Sequence, residues 1–201
     1  MNIQLDSLTT KEKIIKVTMD IIAEEGFQNI TIRKIAGRAQ VNIAAVNYHF
    51  GSKDVVINES LKEVTDQLKN TFENLKIGAE NPKDRLYLFI IEYTELLFKY
   101  PDIIKNMIYY TIQNKPLSKH MEYITFIQNE GIKILKQTIA QIQPDLDDHT
   151  LYLKVLHLLS GLSFPFLMGK YTESIIKVDL DSEEMRKMHI DMLLENVCSH
   201  Q

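Results

Sequence analysis

The sequence has a single cysteine, Cys198, among 201 residues, which excludes an intramolecular disulfide framework and a cysteine-based zinc site. It has no long apolar run: stretches such as Leu88–Ile91 fall far short of the roughly 20 residues a membrane-spanning helix needs. Its opening residues, MNIQLDSLTTKEK, lack the basic start and apolar stretch of a secretory signal. Alternating apolar and polar residues never persist long enough to make a convincing strand. The seven glycines and five prolines are few and fall mostly between periodic segments, where they act as punctuation. There is no internal repeat and no low-complexity segment. A glycine-rich phosphate loop, a Gly-x-Ser-x-Gly elbow and a His-Glu-x-x-His pair are all missing. The acidic stretches Asp145–Asp148 and Asp179–Glu184 lack the residue order of a calcium loop and precede helical patterns, where acids serve as caps. Cys198 has no activating partner near it in the sequence. The expectation is a protein with no catalytic residues, no metal site and no cofactor, with no membrane span, in a reducing cytoplasmic setting.

What is present is helical periodicity from end to end and one window without carboxylates. Between Phe27 and Lys53 there are four basic residues (Arg33, Lys34, Arg38 and Lys53) and none of the 27 acidic ones, in a chain of net charge -4. A basic island on an acidic body suits a polyanion site that must not attract polyanions elsewhere. The local signals place this window on helices. Thr9 and Glu12 form a capping box for a first helix that ends at Gly26, with Phe27 folding back. Thr31 caps a short second helix with Ile32, Ile35, Ala36 and Ala39 inward. Asn42 caps a third, Ile43 to His49. Ser52 opens a long fourth helix with an apolar stripe at Ile57, Leu61, Val64, Leu68, Phe72 and Leu75.

Two short helices joined by a tight turn leave one face of the second exposed, and a helix of that kind fits the major groove. Ile35, Ala39, Val41 and Val46 supply the small core. Ile43, Ala44, Asn47 and Tyr48 then face outward, and Ala45 offers a methyl that, like that of Ala44, can meet a thymine methyl. Arg33 reaches a base edge or a phosphate, Asn47 reads an adenine, and Lys53 meets a phosphate at the amino end of the fourth helix. Thr31 and Tyr48 offer hydroxyls to the backbone, with Asn42 and His49 alongside them. A dimer making about six to eight phosphate contacts is expected to lose affinity with salt at a log–log slope of roughly -5 to -7.

These residues resemble the DNA-binding domain of TetR-type (TetR/AcrR) transcriptional regulators. The family pattern is Thr-hydrophobic-Arg-x-Ile-Ala, a turn ending in Val, a recognition helix with Tyr, then Phe-x-Ser-Lys-acid. Here it reads Thr31, Arg33, Ile35, Ala36, Val41, Tyr48, Phe50, Ser52, Lys53 and Asp54, with "VNIAAVNYHFGSKD" the most specific part. The match covers about a quarter of the chain. It departs at Gln40, where the turn usually carries glycine, and at Asn42, often Ser or Thr. The resemblance implies an all-α fold of about nine helices. A helix-turn-helix domain of three helices (residues 1–53) is joined by a connecting helix (54–77) to a helical ligand-binding and dimerisation domain (78–201). It also implies a homodimer on a palindromic operator of double-stranded DNA, most readily a repressor released by a small-molecule effector, or alternatively controlled by a protein partner.

The C-terminal part offers two further readings. Residues 151–168 are apolar on nearly every side, with a small-residue patch at Ser160–Ser163, and Pro165 is expected to bend or end that helix. With the last helix they suit a four-helix dimer seam through Leu156, Leu159, Ser160, Ser163, Leu167, Met185, Met188 and Met192. Phe89, Tyr93, Met107, Tyr110, Phe126, His157 and Phe164 are candidates to line a cavity for an apolar or aromatic effector. Glu92 and Glu95 would neutralise a cationic one if turned inward.

Overall fold

The computed structural model describes residues 8–77, 79–101, 105, 118–169 and 171–199. Among them the chain forms nine α-helices and no strand: α1 Thr10–Glu25, α2 Ile32–Ala39, α3 Ile43–Phe50, α4 Lys53–Ile77, α5 Pro82–Lys99, α6 Ser118–Phe126, α7 Ile132–Ile142, α8 Asp148–Met168 and α9 Glu183–Cys198. No helix among these residues is long and apolar enough to cross a membrane. The chain divides into two compact units, Met1–Asp66 with Asn106–Met121, and Gln67–Lys105 with Glu122–Gln201. Helix α4 contributes its first half to one and its second half to the other.

In the first unit α1 starts at a reciprocal capping box. Thr9 Oγ1 accepts from the Glu12 amide at 3.3 Å, and the Thr9 amide donates to Glu12 Oε2 at 2.9 Å. Gly26 stops the helix at φ +80, ψ +165, a positive φ as expected but outside the left-handed helical well, and its amide still donates to Ile22 O. Phe27 turns back into the core. Ile14, Ile21, Ile30, Ile35, Val46 and Leu61 close that core completely, so α1, α2, α3 and the start of α4 share one apolar centre.

The second unit is built from the rest of α4 with α5, α7, α8, α9 and most of α6. Asn81 caps α5 through the Lys83 amide, with Pro82 in the first turn where its missing N–H costs nothing. Between α6 and α7 the helix widens into a π-segment, Ile127–Gly131. A β-carbon on Gly131 would lie 3.0 Å from Ile127 Cδ1 and 3.2 Å from Phe72 Cε1, so glycine is what allows that approach. Asp147 Oδ1 accepts from the His149 and Thr150 amides to cap α8, and Ser182 caps α9, so both acidic stretches serve as helix starts. Pro165, expected to bend or end its helix, lies one turn before the end, and α8 runs on to Met168. Gly161 in α8 is tightly approached by the Leu193 side chain of α9.

Candidate nucleic-acid interface and exposed helical faces

The α2–α3 turn is set by backbone chemistry. Gln40 takes the left-handed conformation, φ +56, ψ +40, at the turn position where the pattern this stretch resembles usually has glycine. The Gln40 amide then donates to Gly37 O at 3.3 Å and the Val41 amide to Ala36 O at 3.0 Å, closing α2. Two residues later Asn42 Oδ1 accepts from the Ala45 amide at 2.6 Å and starts α3. Val46 and Phe50 anchor α3 in the core and Ala45 is half-buried, while Ile43, Ala44, Asn47, Tyr48 and His49 are exposed. Tyr48 is 86% exposed, an unusual state for a large aromatic side chain within an ordered helix, and its ring meets His49 edge-on at 5.3 Å. Thr31, Arg33, Asn42 and Lys53 are exposed as well. Thr31 Oγ1 accepts from the Lys34 amide at 3.1 Å, which leaves its own O–H to donate outward. Lys53 begins α4, whose first amides point the same dipole end at any anion there.

The basic island divides in two. Lys34 Nζ lies 2.7 Å from Glu25 Oε2, and Arg38 bridges Glu24 at 2.6 Å and Glu25 at 2.7 Å. The hydrogen bond from Lys34 holds the Glu25 carboxyl below its usual range, and Glu24 holds the Arg38 guanidinium above its own. These pairs fasten α2 to the end of α1. Among the described residues, Arg33 and Lys53 are the cations of the window with no ion-pair partner. The acidic partners, Glu24 and Glu25, lie just outside the window and went unnoticed in a count of charge along the sequence.

Of the residues expected to line a cavity, Phe89, Tyr93 and Phe126 come together around Phe72. Ring centroids lie 4.9 Å apart for Phe72–Phe89, 6.1 Å for Phe72–Tyr93 and 5.4 Å for Phe72–Phe126. The Tyr93 and Tyr123 hydroxyls share a hydrogen bond at 2.9 Å, and burial pushes both phenols above the ordinary tyrosine range. These rings fill their space by packing on one another. His157 and Phe164 do not join them: both are exposed on α8, because they lie on its solvent side rather than its core side. Met107 and Tyr110 lie outside the described residues. A groove of about 750 Å³ opens instead between α4 and α5, where Gln67, Asn70 and Asn74 face Ile91, Leu96 and Phe98. Glu92 and Glu95 line it too; Glu92 accepts from Asn74 Nδ2 at 2.9 Å, and Glu95 pairs with Arg186 at 3.4 Å.

The residues expected at a seam lie mainly outward. Leu156, Ser160, Leu167, Met188 and Met192 are exposed, and Leu159, Ser163 and Met185 are half-buried. Ten of the sixteen exposed large apolar side chains among the described residues fall between Tyr152 and Met192, on α8, α9 and the segment that joins them. Tyr152, Leu153, Tyr171, Ile175 and Ile176 are among them and were missed from the sequence. The first two sit on a helix apolar all round, which hides a preferred side; the others lie beyond the periodic pattern.

Comparison with known proteins agrees with this geometry. The model of the family described as bacterial regulatory proteins, tetR family, matches residues 14–59, the segment holding α2, α3 and the turn between them. The chain is 27% identical over 143 residues to the biofilm operon icaADBC HTH-type negative transcriptional regulator IcaR of Staphylococcus aureus (strain Newman), covering 66% of this chain and 77% of that one. It is 22% identical over 190 residues to the probable HTH-type transcriptional regulator YttP of Bacillus subtilis (strain 168), covering 92% and 90%. Among solved structures, a TetR transcriptional regulator from Legionella pneumophila superposes with a TM-score of 0.70 at 17% identity over 98% of this chain and 99% of that one, a likeness of fold.

Proposed function

We propose, from the premise that this chain is a TetR-family DNA-binding transcriptional regulator, that it acts as a cytoplasmic homodimeric repressor, released from a palindromic operator by a small ligand. The observation that carries the DNA-binding part is the α3 surface: a helix fixed from behind by Val46 and Phe50, presenting Asn47 and Tyr48 to solvent. Asn47 reads a base edge, Ala44 and Ala45 meet thymine methyls, and Thr31, Tyr48, His49 and Lys53 hold the phosphate backbone, with Arg33 reaching either. One eight-residue helix reads few bases, so a two-fold pair, with recognition helices about 34–36 Å apart, is what gives an operator its length. The negative regulation named for the S. aureus relative favours repression. The exposed α8–α9 patch supports the dimer, since a single chain gains nothing by leaving it uncovered.

Effector control takes the α4–α5 groove as its site, because its volume falls in the range of small-molecule pockets and the aromatic cluster is already filled by its own rings. The ligand acts only through unequal affinity for two spacings of the recognition helices. The same packed cluster favours a second reading, in which a protein partner and not a small molecule controls DNA binding. Selection of bound duplexes from a random pool tests the central claim. It is expected to return inverted half-sites about one helical turn apart. Recovery of unsymmetrical sequences, or of no duplex at all, refutes it. Repeating the selected binding with a library of small aromatic and amine compounds separates the two forms of control.

A further inference from the structure

The segment joining α8 to α9 is not a loose connection. The Gly169 amide donates to Pro165 O at 2.9 Å, and the Thr172 amide donates to Gly169 O at 3.0 Å. Thr172 is buried, and its hydroxyl donates to Pro165 O at 3.2 Å. Thr172–Ile176 form one π-helical turn, closed by Lys177 at φ +63, ψ +32, whose amide donates to Glu173 O at 3.0 Å. With Thr172 held inward, Tyr171 and Ile175, four residues apart, stand outward at 66% and 65% exposure, and Ile176 beside them at 49%. Three large apolar side chains are thus held in solvent by an ordered backbone. An ordered ridge of this kind carries the entropic cost of being fixed and, in a lone chain, none of the gain of burial.

The ridge follows directly on α8 in the chain. Leu156, Phe164 and Leu167 share one side of α8 at helical spacings of eight and three, and Met188 and Met192 lie on α9, which Leu193 holds against Gly161. Area decides whether the helical face is sufficient alone. Taking about 200 Å² for a large side chain, the exposed parts of Leu153, Leu156, Phe164, Leu167, Met188 and Met192 amount to roughly 600 Å². A standard stable interface takes about 800 Å² from each partner, and lasting homodimers take more. That area counts polar and apolar atoms together, and about 65% of a homodimer interface is apolar, so a lasting homodimer burying about 1,000 Å² per partner takes about 650 Å² of apolar surface; Tyr171, Ile175 and Ile176 add roughly 350 Å² and carry the total past it.

We infer that the connector Tyr171–Val178 docks onto a second copy of this chain, as the outer edge of the α8–α9 seam. This rests on the dimer reading above and adds to it a part that the helices alone do not contain. The test is sedimentation velocity over a dilution series on the full chain, comparing wild type, Ile175→Asp/Ile176→Asp, the milder Tyr171→Ser, and Leu156→Asp in the helical face, with circular dichroism to show each is folded. The connector variants are expected to raise the dimer dissociation constant at least about tenfold while helix content is unchanged. Tyr171→Ser decides the matter if the double variant does not fold. A wild type that dimerises, with Leu156→Asp dissociating it and the connector variants matching wild type, overturns the connector's role and leaves the dimer standing. Connector variants that lower the melting temperature without moving the dissociation constant overturn it too, and place the ridge against its own chain. A wild type that stays monomeric at every concentration removes the dimer reading itself, and the connector's role with it.

Discussion

Replacing Lys53 by alanine tests its proposed phosphate contact, and the number of unpaired cations in the window sets the size expected. Of the four cations in the acid-free window, Lys34 and Arg38 are committed to Glu24 and Glu25, which leaves Arg33 and Lys53 free. If both meet phosphates in the proposed dimer, two cations per chain and four in all would release counterions with a log–log salt slope of about -3.6, shallower than the -5 to -7 expected from the sequence. Between 50 and 200 mM salt the affinity then falls by about 150-fold, or about 3 kcal/mol. Lys53→Ala removes two of the four contacts, so its slope drops to about -1.8 and the same change of salt costs only about 12-fold. Fluorescence anisotropy of a labelled duplex at graded salt reads both slopes. Equal slopes for wild type and variant refute the assignment of Lys53 to a phosphate. A wild-type slope near -7 shows that more cations than Arg33 and Lys53 meet phosphate; Glu25→Gln, which frees Lys34 and leaves Arg38 only Glu24, leaves that slope unchanged if those two are already on the DNA and steepens it if they are not.

Three other outcomes follow from the same geometry. Asn47→Ala is expected to relax sequence preference at one position of each half-site by about 1–3 kcal/mol, while Tyr48→Ala weakens binding to all duplexes alike; binding-site selection with each variant separates a base reader from a backbone contact. His189 in α9 is held below its usual pKa of 6.5 by burial, although its contact with Gly161 O, 3.2 Å away, acts the other way. The unfolded chain therefore takes up the proton first, so this contribution to stability is complete above about pH 6.5 and is lost as pH falls below it; urea unfolding should show a weaker fold at about pH 5.5 than at 7.5, and His189→Gln should lessen the difference. Gly131→Ala drives a methyl group toward Ile127 and Phe72 and is expected to destabilise by about 1–3 kcal/mol, whereas Gly37→Ala, with nothing within 4 Å of the new atom, is expected to be neutral or stabilising by about 0.5–1 kcal/mol; thermal unfolding of the pair compares them.

The first unit was legible because its signals are local. Thr9 with Glu12, Thr31 and Asn42 each name a helix start through a hydrogen bond spanning three residues, and all three bonds are present. The α4 stripe from Ile57 to Leu75 was legible for a similar reason, since periodicity alone fixes which side is buried. Where the reading failed, the deciding partner was distant in sequence or the pattern was symmetric. Arg38 is neutralised by Glu24, fourteen residues earlier. Helix α8 is apolar on every side, so no period told His157 and Phe164 on its outer face from Leu158 and Leu162 on its inner one. The connector's exposed isoleucines belong to a π-helical turn, whose spacing matches neither a strand nor an α-helix.

Helix α4 contributes residues to both units, Lys53 at its start in the first and the groove side chains of its second half in the second. It runs unbroken for 25 residues, about 37 Å at 1.5 Å per residue. Toward its end Phe72 is boxed by Phe89, Tyr93 and Phe126 and backed by Gly131, a close-packed setting that resists gradual displacement. Gln67, Asn70, Thr71 and Asn74 of the same helix line the open groove. If the proposed effector binds there, it meets the side of α4 next to the residue pair Thr71 and Phe72, the first lining the groove and the second buried in the ring cluster. To turn an equilibrium from 99:1 bound to 1:99 released, that ligand must favour the released arrangement by about 5.5 kcal/mol. Burying a phenylalanine is worth about 1.5–3 kcal/mol, so a single ring dislodged from the box would consume much of that difference. Under the proposed control, a movement that keeps Phe72, Phe89, Tyr93 and Phe126 packed together therefore costs less than one that opens the box, and contacts in the groove would have to supply the bias.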